Sequence, residues 1–234
     1  MRRPTWIAFD ADDTLWVNEP FFTEAEKALE HLLEPYTGLR GKALTEALYQ
    51  REKRNLSLFG YGAKGFTLSM IETAIELTDG KISGKEIQHI LDEGKRVMDY
   101  PIETMDGVPE VLRILKKRFR LLVITKGDLF NQESKMARSG LANHFRHVEI
   151  VSEKEPSTYR DIMEKYELDP MEGMMVGNSI KSDILPALEV GIQAVHIQQD
   201  YGWVHESVEV DDERRWITLD DFWELLPLLG ENHG

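Results

Sequence analysis

Asp10 and Asp12 stand one residue apart where a short apolar run, Thr5 to Phe9, comes to an end. Two like charges at the end of a buried strand make burial expensive unless a cation or a reaction uses them, and magnesium is the natural cation for such oxygens. The placement points to a catalytic carboxylate pair; a solvated acidic turn closed by Asp13-Thr14 is the other reading of the same residues. Three later apolar runs also end in polar groups. Thr125-Lys126-Gly127 sets a hydroxyl beside a glycine, where backbone N–H groups can approach a phosphate oxygen, although the same pattern closes ordinary strand-to-helix turns. Lys154 precedes Pro156 and can neutralise a phosphate together with a carboxylate, or simply sit solvated at the surface. In Gly177-Asn178-Ser179-Ile180-Lys181-Ser182-Asp183, Asn178 and Asp183 bring further oxygens to a strand end, and Ser182 and Asp183 would equally cap a helix.

These groups have to be delivered by strands that end at one edge. Apolar runs at Leu121-Leu122-Val123-Ile124, Val148-Glu149-Ile150-Val151, Met174-Met175-Val176 and Ala194-Val195-His196-Ile197 alternate with helical patterns, which predicts an α/β fold: a Rossmann-like parallel sheet with helices on both faces. Pro109 and Pro156 fall where first-turn prolines are tolerated. Between the first strand and this array the pattern is helical throughout. Thr23-Glu24-Ala25-Glu26, Ser69-Met70-Ile71-Glu72 and Ser83-Gly84-Lys85-Glu86 read as helix starts, and a fourth helical stretch covers Ala43 to Leu56. The expected organisation is an α/β core domain over 1–16 and 101–234 with an all-helical cap domain over 17–100, set as a lid over the carboxyl ends of the strands.

The 234 residues are 41% apolar and 30% charged, and no apolar run reaches the length of a membrane span. With no cysteine, disulfides and thiolate metal sites are excluded, and a cytoplasmic location is the expectation. A net charge of −14 argues against nucleic acid or an anionic membrane as partner, yet permits a small phosphorylated metabolite held by local cations and a metal.

Asp10-Ala11-Asp12-Asp13-Thr14 after a strand, a strand ending in Thr125, Lys154 before a helix, and the loop holding Asn178 and Asp183 together resemble, in order, the four motifs of the haloacid dehalogenase superfamily with a helical cap after the first motif. The resemblance implies a magnesium-dependent phosphatase that acts on a small-molecule phosphate ester through an aspartyl-phosphate. Asp10 would be nucleophile and metal ligand, and Asp12 the acid and base that also gives a main-chain oxygen to the metal. Thr125, the Lys126 amide, Gly127 and Lys154 would hold the phosphate. One departure stands out: the fourth motif usually opens Gly-Asp, and here Asn178 replaces that acid, so Asn178 is expected to ligate magnesium directly with Asp183 supporting it. A dehalogenase needs no acid two residues after its nucleophile, so Asp12 favours phosphate. A phosphomutase, or a catalytically weak regulatory or binding protein, also fits the fold. A receiver domain does not, since it has no large helical insert.

The cap should select the substrate. Asn55 to Phe66 is glycine-spaced and aromatic, reading as a loop that offers Lys64 to substrate, while Phe59, Tyr61 and Phe66 suit packing in the cap core. Trp16, Phe21 and Phe22 read as an apolar cluster on the hinge side. The seven histidines show no metal spacing, Asp211-Asp212-Glu213 reads as a solvated turn, and Asp220-Asp221 as a helix start. Trp203 suits either packing or the border of the site.

Overall fold

The computed structural model describes residues 2–38, 40–199 and 215–231. Trp203 and Asp211-Asp212-Glu213 lie outside them. The chain divides into two compact units, one made of Met1–Glu19, Ile102–Lys126 and Gln132–Gly234, the other of Pro20–Pro101 with Gly127–Asn131.

In the first unit, β1 (Trp6–Phe9), β2 (Arg120–Lys126), β3 (His147–Val151), β4 (Gly173–Gly177), β5 (Gln193–Ile197) and β6 (Ile217–Leu219) form one parallel sheet in the order β3-β2-β1-β4-β5-β6. The run around Ile217, too short to stand out in the sequence, adds the sixth strand. Alternation along β1, β2 and β4 buries both faces at the centre of the sheet. Ile7, Phe9, Leu121, Val123, Met174 and Val176 pack with α5 (Val108–Leu115) and the C-terminal residues Phe222, Leu225 and Leu226. Trp6, Ala8, Leu122, Ile124 and Met175 pack on the other side with α7 (Pro156–Tyr166) and Ala187 of α8 (Leu185–Glu189). Phe9 lies opposite both Val123 and Val176, so β1, β2 and β4 finish side by side and the polar residues that follow them share one edge. Pro109 and Pro156 open α5 and α7 as expected, and Asp221 caps a short turn that runs into α9 (Leu225–Leu228).

The second unit contains α1 (Glu19–Thr37), α2 (Lys42–Phe59), α3 (Ala63–Leu77) and α4 (Gly84–Asp99) around Leu29, Leu33, Leu48, Phe66, Met70 and Ile90. Ser83 and Glu86 form the expected capping box on α4. The other two helix starts differ. α1 already begins at Glu19, because Asp13 accepts the N–H groups of Asn18 and Glu19, leaving Thr23 inside the helix. α3 begins at Ala63, and Ser69, instead of capping, donates to the Gly65 carbonyl at 2.9 Å from mid-helix. The expected loop at Asn55 to Phe66 therefore shrinks to Gly60-Tyr61-Gly62, with Lys64 in the first turn of α3. Phe66 joins the core as expected, Phe59 is half exposed, and Phe21 stacks on Tyr100. Among the described residues no helix is long and apolar enough to cross a membrane.

Candidate active site

The backbone after β1 turns sharply because Ala11 O accepts the amides of Thr14 and Leu15, with Asp13 taking the left-handed conformation at φ 59° that aspartate tolerates. That turn sends three side chains in three directions. Asp10, whose amide still bonds Val176 O at 2.9 Å, points into the sheet edge; Asp13 caps α1; Asp12 faces α6 (Leu129–Ser139).

Asp10 is buried, and Lys154 Nζ bonds its Oδ1 while also donating to Asp183 Oδ1 at 2.6 Å. Asp183 is fully buried and takes the Ser179 amide on Oδ2 at 3.0 Å. Gly177 leaves room for it, since a Cβ there would come 2.2 Å from Asp183 Oδ2. On its other oxygen, Asp10 lies 3.1 Å from Thr14 Oγ1, which is also 3.2 Å from Asn178 Oδ1 and accepts the Asn178 amide at 3.1 Å. One hydroxyl proton thus serves two oxygens and ties the first and fourth strand ends together. The expected capping role of Ser182 and Asp183 falls to Ser179, whose side chain accepts the Ser182 amide, because the chain winds Ile180–Ile184 as a wide π turn.

Two buried acids share one buried lysine, and their electrostatics show it. Burial pushes the Asp10 carboxyl up to about 7; Lys154 pulls it down, and Asp183 pushes it further up. Burial alone would depress the Lys154 ammonium, but the charges of Asp10 and Asp183 outweigh it and hold its pKa above the ordinary value. Burial also raises Asp13 to about 6, against the opposing pull of the Glu19 amide.

Asp12 makes a separate cluster with Trp16, Gln132 and Lys135. Thr125, buried near the end of β2, joins it through Gln132 Nε2 at 2.9 Å, and Lys126 Nζ reaches across to Ser182 Oγ at 2.8 Å. The structure therefore brings Asp10, Lys154, Asn178 and Asp183 into one hydrogen-bonded group, and Asp12 and Thr125 into another. Gly127 follows β2 with a positive φ of 138°. Lys64 pairs within the helical unit, with Asp128 at 2.9 Å. Gln132 and Lys135 escaped the sequence reading. Their available signal was position: with Met136 they form the buried stripe of α6, and a lysine and glutamine on a core-facing stripe require partners.

Among the described residues no three His, Asp or Glu side chains form a ready-made metal cage. The donors at this edge are of mixed kind: the Asp10 carboxylate, the Asn178 amide oxygen and the Asp12 carbonyl. All are hard oxygens, and two buried carboxylates against one lysine leave negative charge over. This fits magnesium, which binds few protein oxygens and keeps several waters.

Residues 4–191 match the family model for haloacid dehalogenase-like hydrolases. The chain is 26% identical to glyceraldehyde 3-phosphate phosphatase of Pyrococcus furiosus over 100% of its own length and 96% of the relative. It is 25% identical to N-acylneuraminate-9-phosphatase of Rattus norvegicus over 58% of its length and 55% of the relative. Among solved structures, a haloacid dehalogenase-like family hydrolase from Xanthomonas campestris superposes with a TM-score of 0.84 at 38% identity, covering 94% of this chain and 87% of the other.

Proposed function

The chain belongs to the haloacid dehalogenase-like hydrolases, and from that premise we propose that it is a magnesium-dependent phosphatase of small phosphate esters that works through an aspartyl-phosphate. One observation carries the reading: Asp10, buried at a strand end, is paired with Lys154 and hydrogen-bonded by Thr14, with a second acid, Asp12, two residues on.

Asp10 attacks phosphorus in line; the bond to the ester oxygen breaks and the leaving alkoxide takes a proton from Asp12. Asp12 then accepts a proton from the water that attacks the aspartyl-phosphate, releasing inorganic phosphate and restoring Asp10. Lys154, Thr125, the Lys126 amide and Gly127 hold the phosphate oxygens. Asp10, Asn178 and the Asp12 carbonyl would hold magnesium, with Asp183 in support; when bound, the ion supplies positive charge for the transferring phosphoryl group. Two relatives, a glyceraldehyde 3-phosphate phosphatase and an N-acylneuraminate-9-phosphatase, support a small phosphorylated metabolite as substrate.

Phosphate release from p-nitrophenyl phosphate and from a panel of sugar, triose and nucleotide phosphates, with and without magnesium, tests this. Wild type is expected to turn over in magnesium only, and Asp10→Asn to lose about 10³-fold or more. Absence of turnover across the panel would overturn it and favour a regulatory or binding protein, the reading to which uncharged Asn178 lends support.

A further inference from the structure

The carboxylate of Asp12 is gripped from three sides. Trp16 Nε1 donates to Oδ1 at 2.7 Å, Lys135 Nζ to Oδ1 at 2.9 Å and Oδ2 at 3.1 Å, and Gln132 Nε2 to Oδ2 at 2.9 Å. A carboxylate offers about four lone-pair positions, so these contacts fill it. The three donors are themselves buried, with Gln132 3% and Lys135 7% exposed. Burying an ammonium and an amide is unfavourable unless each finds acceptors, and both find them here. Lys135 adds the Asn18 Oδ1 at 2.7 Å, on the segment leading into α1. The two N–H groups of Gln132 Nε2 are shared among Asp12, Thr125 Oγ1 at 2.9 Å and the Lys126 carbonyl at 2.8 Å. A carboxylate and a carbonyl can only accept, which fixes the amide with its NH2 toward them. Among the described residues its Oε1 is buried without a partner.

We propose that Lys135 and Gln132 are positioning residues for Asp12, fixing its carboxylate against the ends of β1 and β2, and that Lys135 thereby governs proton transfer rather than phosphate capture. Lys135 touches none of Asp10, Thr125, Lys154 or Asn178 in its hydrogen bonds, whereas Gln132 also bonds Thr125 and so borders the phosphate-holding residues. Asp12 has to free one acceptor position before it can exchange a proton. Lys135, which spans both oxygens, can release one and keep the other, so the carboxylate is freed for chemistry without losing its place. The inference rests on the phosphatase reading, which assigns Asp12 the acid and base roles.

The test compares two leaving groups. p-Nitrophenolate departs without a proton, whereas an alkoxide needs one, and kcat/KM reports the step in which either leaves. In Lys135→Met, kcat/KM for the best alkyl phosphate of the panel is expected to fall about 10–100-fold, with p-nitrophenyl phosphate falling less than about 3-fold and KM nearly unchanged. Lys135→Arg should restore part of the loss. An equal fall for both esters, or no fall for either, overturns the proposal. A melting cycle adds a readout independent of turnover: Lys135→Met should lower Tm by about 4 °C in the wild-type background and by less than half of that beside Asp12→Asn. Equal shifts in the two backgrounds would show that Lys135 does not hold Asp12. If wild type releases phosphate from neither ester, the phosphatase reading falls and the proton-transfer role with it, while the melting cycle judges the hold on Asp12 by itself.

Discussion

Asp10 at the sheet edge and Glu26 in the helical unit are both acids pushed up to about 7, yet they teach opposite things. For Glu26 the causes are burial and then the like charge of Glu52, a buried acid on the core-facing side of α2. For Asp10 burial also comes first, but the next influence is an ammonium that bonds it directly and is shared with Asp183. A raised acid is therefore no mark of a site in itself. What separates the two is the company: a lysine and a hydroxyl converge on Asp10, while for Glu26 the simplest relief is a proton.

Breaking that company should have the largest effect. Lys154→Met leaves Asp10 and Asp183 buried side by side without their shared cation. Turnover is expected to fall about 10³-fold or more, and stability by about 3–5 kcal/mol, the range for removing one partner from a buried charged group. Urea unfolding together with steady-state kinetics measures both. Unchanged stability would mean that the two acids do not depend on Lys154, and the contrast with Glu26 would collapse.

Two glycines sharpen the same contrast with a smaller effect. A Cβ on Gly177 would sit 2.2 Å from Asp183 Oδ2, and one on Gly94 in α4 would sit 2.0 Å from Thr67 Oγ1 in α3. One cradles a charged group and the other lets two helices approach. Each change to Ala is expected to lose about 1–3 kcal/mol by overpacking. Only Gly177→Ala should also lower turnover, about 10-fold or more, because it displaces Asp183. Equal losses of turnover in both would show that Gly177 has no special relation to the strand-end acids.

The same contrast governs what could be read without a structure. Strands β1 to β5 were legible because short apolar runs bounded by polar residues leave few alternatives, and the first four lead to a residue whose chemistry is unusual for that place: Asp10, Thr125, Lys154 beyond β3, and Asn178. α1 and α3 were misplaced by several residues, since their caps come from elsewhere. The group that caps α1 is Asp13, five residues upstream of Asn18, and α3 starts directly after Gly62 with no side-chain cap at all. Gln132 and Lys135 were invisible for a related reason. Their partner Asp12 is more than a hundred residues away, and spacing on α6 alone cannot tell a buried lysine from a solvated one. Local rules reached the residues that chemistry concentrates at strand ends, and missed those defined by long-range pairing.

The smallest effect is the one that isolates Glu26. Its carboxyl ordinarily titrates at 4.5 and is raised to about 7 in the fold, so the folded state holds a proton that the unfolded chain has already lost. Below the lower value both states are protonated and the group contributes nothing. Between the two values stability falls as pH rises, and above the higher one the folded state bears the full penalty of a buried charge beside Glu52. Glu26→Gln cannot ionise and so escapes that penalty. Its Tm should match wild type at about pH 4.5 and exceed it by a few degrees at about pH 8, a gain on the order of 1 kcal/mol once partial solvent screening is allowed for. Thermal unfolding followed across that range separates the cases. A difference that stays flat with pH would mean that Glu26 is already relieved by a cation in solution, in which case the helical unit manages its buried acids as the sheet edge does. A difference that grows through the interval and then levels off would leave Lys154 as the feature that sets the Asp10 cluster apart, because under the proposed mechanism the proton that satisfies Glu26 would block attack by Asp10.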